Sequence, residues 1–510
     1  MRKFLILVLT LISMHGFSDS AFEYQRAGAS VSLLKSHIGK SSKTNLNGSI
    51  VVTSDRFYRS NYSQINLPEG AVTLYNDIGV FDFAKSIETF KGDVNNPNYT
   101  SGIFNFDIDN SGSRIVIDYP DEGLTKIYDL NYETGEIESQ GSIYSGYSIS
   151  GIKSEIDGSG QLLVISKGVL PTVFRTYILN QNTNSWEKLG NDIEYSSRAP
   201  FSISDDGNSL LVIQYSSLSR DPKTVHEYKL SSSGWTLISA VPAGTSFENV
   251  TPQFGPNGKK FALLASNSVS IYTKSSDSWD NSAIVDTTIS PTYFPATECY
   301  DAVGTNQENE VGQVEISADF STIVFSDPGC DRALIVSQKN GDYGEVQELY
   351  GVGNAFGISS AVNIDGSRLF IMSKRGGANQ NDEIDESGYF YGYQKICLSN
   401  CSEDSDEDGI PNQSDLFPND PTEWSDADGD SVGDFSDNCP LYENPRQQDG
   451  DADSIGDVCD LDDDADGVLD FNDALPFDPN ETSDFDNDGI GDNADNDDDN
   501  DGWNDEVDDF

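Results

Sequence analysis

Residues 404–415, DSDEDGIPNQSD, place carboxylates at alternate positions, then a glycine, then oxygen-bearing residues at wider spacing. That pattern could hold a hard cation. A flexible oxygen cage for Ca²⁺ takes side-chain oxygens at loop positions 1, 3 and 5, a sharp turn at 6, a backbone carbonyl at 7 and further oxygens at 9 and 12. The stretch supplies Asp404, Asp406, Asp408, Gly409, the carbonyl of Ile410, Asn412 and Asp415. The same register recurs five times. The later copies offer Asp426, Asp428, Asp430, Val432, Asp434 and Asp437, then Asp449, Asp451, Asp453, Ile455, Asp457 and Asp460, then Asp462, Asp464, Asp466, Val468, Asp470 and Asp473. The last two offer Asp484, Asp486, Asp488, Ile490, Asp492 and Asp495, and Asp497, Asp499, Asp501, Trp503, Asp505 and Asp508. Acidic bias alone does not keep six copies in register.

The departures exclude EF-hands. Position 6 is Ser431 and Ser454 in two loops, where glycine turns more easily. Position 12 is Asp rather than the longer Glu, and no amphipathic helix flanks a loop. The loops start 22, 23, 13, 22 and 13 residues apart, with DNCP at 437, NPRQQDGDADSIGDVCD at 444, and FPNDP and FDPNE in the spacers. This alternation resembles thrombospondin type 3 repeats over residues 404–508. The resemblance implies an irregular ribbon wrapped around several Ca²⁺ in place of a hydrophobic core, stapled by Cys439 and Cys459. Such repeats occur in extracellular matrix proteins and in bacterial surface and outer-membrane proteins. The physical alternative is a disordered acidic tail, which is the expected state without metal. Binding to the ordered form alone ties Ca²⁺ concentration to folding. Mg²⁺ is the lesser candidate, because it demands tighter geometry and sheds water reluctantly.

The chain as a whole sets limits on these readings. It carries 86 Asp and Glu against 30 Lys and Arg, a net charge of -56. About 40 of the acidic residues and a single basic one, Arg446, fall in 402–510. Such a chain repels nucleic acid and anionic membrane, and its natural small partners are cations. Arg2 and Lys3, the apolar run Phe4 to Ile12 and the small residues after it have the layout of a secretory signal peptide, here residues 1–20. No later stretch is apolar enough for a membrane helix, so no transmembrane segment is expected in the mature chain. The expected location is secreted, extracellular or at the cell surface, with the periplasm as an alternative. Six cysteines, Cys299, Cys330, Cys397, Cys401, Cys439 and Cys459, suggest disulfides in an exported protein. They permit fifteen pairings, and the sequence does not choose among them, although neighbour pairing is the expectation.

The loops follow a region of different grammar. FDIDNSGSRIVIDY at 106, SEIDGSGQLLVIS at 154, FSISDDGNSLLVIQY at 201, PQFGPNGKKFALLAS at 252, VEISADFSTIVFS at 314 and AVNIDGSRLFIMS at 361 each read as a β-hairpin, with a weaker copy at 44. A third strand and a fourth opened by an aromatic follow most of them, at a period of roughly 46 to 64 residues. The predicted fold is all-β: a seven-bladed β-propeller over 22–396, a junction over 397–403 and the calcium-binding ribbon over 404–510. The segment GASVSLLKS at 28 is expected to complete the last blade and so remove an exposed edge. A string of β-sandwiches is the competing architecture. The region resembles bacterial propellers of the WD-repeat-like and FG-GAP-like kind, although SDDGNSL at 204 lacks the spacing and Trp of a sialidase Asp-box.

Catalytic machinery is not legible. After removal of the signal peptide only His37 and His226 remain, and no Ser/His/Asp set, zinc cluster or phosphate loop can be assembled. Turn residues Asp109, Asp157, Asp206 and Asp365 read as groups satisfying turn backbone. Trp186, Trp235, Trp279 and Tyr343 read as blade packing. The expected function is an exported calcium-binding protein, a propeller recognition head on a calcium-stabilised stalk. It would bind an extracellular protein or glycan in surface binding or adhesion and would not be an enzyme. The alternative is an exported propeller hydrolase or lyase acting on glycan or peptide, with an accessory tail.

Overall fold

Alternating runs rich in Ile, Val and Leu, broken by Asp/Asn/Gly turns, form short antiparallel strands, and no α-helix occurs among the described residues. A computed structural model describes residues 22–26, 31–33, 38–44, 50–55, 70–77, 81–90, 105–119, 123–131, 136–144, 152–168, 171–180, 183–197, 199–215, 222–231, 233–242, 250–255, 258–265, 268–274, 285–289, 314–327, 332–339, 342–350, 354–374, 388–397, 405–406, 410, 412, 415–500 and 503. Four consecutive strands make each of six sheets, which run 38–90, 106–144, 152–195, 201–242, 251–289 and 314–350. The remaining sheet joins Asn354–Val362, Arg368–Lys374 and Gly388–Cys397 to the chain's first strands. Phe22–Arg26 pairs with Gly388–Cys397, Phe22 opposite Cys397 and Arg26 opposite Tyr393. Val31–Leu33 extends the same edge, Val31 opposite Phe390. The strand within GASVSLLKS thus sits where it was expected, and Phe22–Arg26 adds a second that the sequence did not single out.

Apolar side chains join one sheet to the next, as propeller blades pack. Ile127 and Val116 of the 106–144 sheet meet Ile156 and Leu163 of its neighbour. Leu162 and Phe174 meet Phe201 and Leu210 in the next pair, and Ile213 meets Phe261 in the one after. Side chains are described in most strands of five sheets, from 106–144 to 314–350, against the seven blades expected. The other two sheets are described chiefly by strand pairing. Polar groups of the first strands reinforce the ring: Asp107 accepts from the amide of Ile156 at 3.1 Å, and Glu155 accepts from that of Ile203 at 3.1 Å.

The expected turn and packing roles are seen. Asp109 and Asp157 open their turns and accept from the amides of Arg114 (3.0 Å) and Leu162 (2.7 Å). Asp206 and Asp365 accept from Asn208 (3.0 Å) and Ser367 (2.9 Å). Trp186, Trp235 and Tyr343 pack between blades, and Trp235 donates to Thr176 at 2.6 Å. Trp279 lies outside the described residues, as do Cys299, Cys330 and Cys401 and the side chain of Cys397. His226 is tied by Nδ1 to the Tyr195 hydroxyl at 2.5 Å, a structural setting. Residues 415–500 contain turns and bends but no strand or helix.

Candidate metal centre

In the loops beginning at Asp426, Asp449, Asp462 and Asp484, one set of backbone hydrogen bonds recurs. The first carboxylate accepts from the amide at position 6: Asp426 from Ser431 (3.0 Å), Asp449 from Ser454 (3.2 Å), Asp462 from Gly467 (3.0 Å) and Asp484 from Gly489 (2.9 Å). The third accepts from position 5, and the fifth from position 7, as in Asp428 from Asp430 (3.1 Å) and Asp430 from Val432 (2.8 Å). Position 9 reaches back to the amide at position 2, as Asp434 does to Ala427 (2.7 Å) and Asp470 to Asp463 (3.0 Å). Position 12 caps the following turn, as Asp437 does at Cys439 (2.7 Å). These bonds wind the loop so that its carboxylates converge.

In each of the four loops, one oxygen from each of positions 1, 3 and 5 lies within 4.8 Å of the other two. Several loop oxygens, some of them on these same residues, are buried with no hydrogen-bond partner: Oδ2 of Asp428, Asp434, Asp437, Asp464 and Asp473, and Oδ1 of Asp449 and Asp462. Burial without a partner is costly for an ionised group, and a hard cation offers what these oxygens lack. The electrostatics agree. Burial, chiefly, pushes Asp428, Asp434 and Asp462 up to about 7 and Asp460 to about 8, with neighbouring carboxylates adding to the effect. The donor set fits Ca²⁺.

Each winding needs two left-handed residues, and the sequence reading found only one. Position 6 is left-handed at Ser431 (φ 80°), Ser454 (φ 80°), Gly467 and Gly489, as expected for the sharp turn. Position 4 is left-handed as well, at Gly429, Ala452 (φ 65°), Ala465 (φ 55°) and Asn487 (φ 61°). Glu423 and Glu481 were also missed. Both are buried, and they accept from the amides at position 10, Phe435 (3.2 Å) and Asn493 (2.9 Å), across twelve residues. Their shared place before two loops, in PTEW and PNET, was the available signal.

Of the first loop, Asp406, Ile410, Asn412 and Asp415 are described, and Asn412 accepts from the amide of Ser405 at 2.8 Å, the position 9 bond again. Of the last, Asp497, Asp499 and Trp503 are described, while Asp404, Asp408, Asp501, Asp505 and Asp508 lie outside the described residues. Cys439 and Cys459 form the staple that the repeat resemblance implied, with Cα atoms 5.8 Å apart.

The stalk expectation needs correcting, because the ribbon's early part lies against the propeller. Leu461 and Leu469 are buried in one cluster with Leu162, Phe174, Phe201 and Leu210, with Phe471 packed alongside. Trp424 Nε1 donates to Asp365 Oδ2 at 2.9 Å, and Lys259 pairs with Glu443 at 3.4 Å.

Comparison with known proteins agrees with this geometry. Residues 425–447 and 448–483 match the family model of the thrombospondin type 3 repeat. Residues 425–483 therefore carry thrombospondin type 3 repeats, following an all-β propeller. Thrombospondin-2 of Bos taurus is 46% identical over 70 residues, 14% of this chain and 5% of that protein. Thrombospondin-1 of Xenopus laevis is 47% identical over 70 residues, with the same shares. The chain thus spans about a twentieth of the length of these relatives. Among solved structures, the hydrazine synthase of Kuenenia stuttgartiensis is 12% identical with a TM-score of 0.44, covering 72% of this chain and 97% of that one. The Myceliophteria thermophila Cps50 (Swd1) propeller domain is 9% identical with a TM-score of 0.43, covering 71% and 98%. The propeller assignment rests on this chain's own strand pairing.

Proposed function

We propose that the chain is an exported calcium-binding protein whose propeller recognises an extracellular protein or glycan at a cell surface, without catalysis of its own. The observation that carries the metal reading is the convergence of position 1, 3 and 5 carboxylates in four loops, beside buried oxygens that lack hydrogen bonds. Asp426, Asp428, Asp430, Asp434 and Asp437, with the carbonyl of Val432, would hold Ca²⁺ in one loop. The equivalent residues, in the register given above, would do so in the other five. Bound Ca²⁺ supplies the positive charge that lets these carboxylates stay ionised and close together. The ribbon, residues 404–510, is then wrapped by metal and ordered in its presence.

The remaining assignments belong to the same reading: a signal peptide over 1–20, a propeller over 22–396 and a junction at 397–403. Seven blades closed by the strands at 22–26 and 31–33 are supported by the strand pairing. A calorimetric titration of the full chain, with small-angle scattering on the same samples, tests the metal reading. Several bound Ca²⁺ per chain and a smaller radius are expected, and an unchanged radius at saturating Ca²⁺ contradicts it. Arrays of glycans and extracellular proteins, probed with the full chain, test the recognition role, and turnover of a polysaccharide or peptide would overturn the non-catalytic part.

A further inference from the structure

The ribbon touches the propeller at the turns that join first to second strands. Trp424 reaches the 363–368 turn through Asp365, and its ring packs on Phe435 with centroids 4.3 Å apart. Glu443 reaches Lys259, next to Lys260, whose carbonyl accepts from the amide of Gly255 where the first strand of that blade turns into the second. Leu461 lies against the 204–209 turn, where a Cβ on Gly207 would stand 3.2 Å from its Cδ1. These turns belong to separate blades, so residues 424–471 cross one face of the ring.

The groups that seat the ribbon are interleaved with the loop carboxylates. Leu461 stands between Asp460, the last position of one loop, and Asp462, the first of the next. Leu469 precedes Asp470, and Trp424 stands two residues before Asp426. Beside Leu461, the residues Asp460, Asp462, Asp463 and Asp464 are 4%, 3%, 7% and 7% exposed, so the seated ribbon holds four carboxylates out of water within five residues. Like charges packed in this way oppose the contact unless a cation lies among them. The conformation that buries Leu461 is also the one that brings the carboxylates together, so seating and metal binding favour one another.

We propose that residues 424–471 are a calcium-latched strap over the hairpin-turn face of the propeller, seated when the loops at 426, 449 and 462 hold Ca²⁺ and released when it is withdrawn. The inference rests on the calcium reading above. Release uncovers the acidic turns that carry Asp205, Asp206 and Asp365, so access to this face depends on external Ca²⁺.

Hydrogen exchange on the full chain, in saturating Ca²⁺ and after chelation, tests this, with calorimetric Ca²⁺ counts on the same preparation. Chelation is expected to speed exchange in peptides covering 204–209 and 363–368 by about tenfold or more, and to leave the central strand 114–119 protected. Bound Ca²⁺ with turn exchange indifferent to chelation overturns the strap and leaves the calcium reading standing. No bound Ca²⁺ overturns both. Leu461→Glu retains every loop ligand and is expected to show fast turn exchange even in Ca²⁺, and slow exchange there contradicts the proposal. Should that variant not fold, the wild-type comparison still decides.

Discussion

Ser431 and Ser454 hold φ of 80° where the other two described loops of this geometry use Gly467 and Gly489. A side chain in the left-handed region costs roughly 1–2 kcal/mol, partly offset by glycine's freedom in the unfolded chain. Ser431→Gly and Ser454→Gly are therefore each expected to stabilise the calcium-loaded protein by about 0.5 kcal/mol, read as a higher Tm. Asp157 makes the opposite kind of case. Burial chiefly pushes it up to about 7, despite bonds from Ser159 and Leu162, and Asp205 adds to the rise. The folded chain then holds a proton that the unfolded chain releases, so stability is full below the ordinary value of 3.8 and falls as pH rises through about 7. The last blade has Asn363 at the equivalent turn position, accepting from Arg368 at 2.8 Å. Asp157→Asn should thus fold, be more stable than wild type at pH 8 and lose that advantage as pH falls to 5. Denaturant titrations at both values check this, and a constant difference would contradict it.

At the scale of elements, blade packing sets its own requirements. Phe320 is buried in a left-handed turn position (φ 64°) where the equivalent turns use Gly112, Gly160, Gly207 and Gly366. Its ring fills the space beside Gly255 of the preceding blade, where a Cβ would stand 2.9 Å from Cζ. Gly255→Ala is expected to cost about 1–3 kcal/mol through overpacking, measured by chemical denaturation. This pairing was not legible in the sequence, since it joins residues 65 apart. The hairpins themselves were legible, because alternation and turn chemistry are local. So were the acidic loops, whose DxDxD period places successive oxygens on one side without reference to anything distant. Their second left-handed position escaped notice, since Ala452 and Ala465 are residue types that do not advertise it. Glu423 and Glu481 escaped because their partners lie twelve residues on.

For the whole molecule, the ribbon's place on the propeller was the largest feature beyond the reach of sequence. Leu461, Leu469 and Trp424 are isolated apolar residues in an acidic segment, and nothing in their spacing names a partner. A composition break at Cys401 reads as a boundary between independent parts, yet Leu461 shares a core with Leu162 and Leu210. Two modules of unlike chemistry thus meet through a few apolar contacts set between carboxylates. On the strap proposal, those contacts link the stability of one face of the propeller to Ca²⁺.

The proposed function turns on position 1, 3 and 5 carboxylates gathering Ca²⁺ in the C-terminal loops. Counting bound Ca²⁺ by calorimetry in wild type and in a variant combining Asp428→Asn, Asp451→Asn, Asp464→Asn and Asp486→Asn tests it most directly. The variant, altered once in each of the four described clusters, is expected to bind at least four fewer Ca²⁺ per chain. An equal count in the two proteins, or no Ca²⁺ bound by wild type, would contradict it.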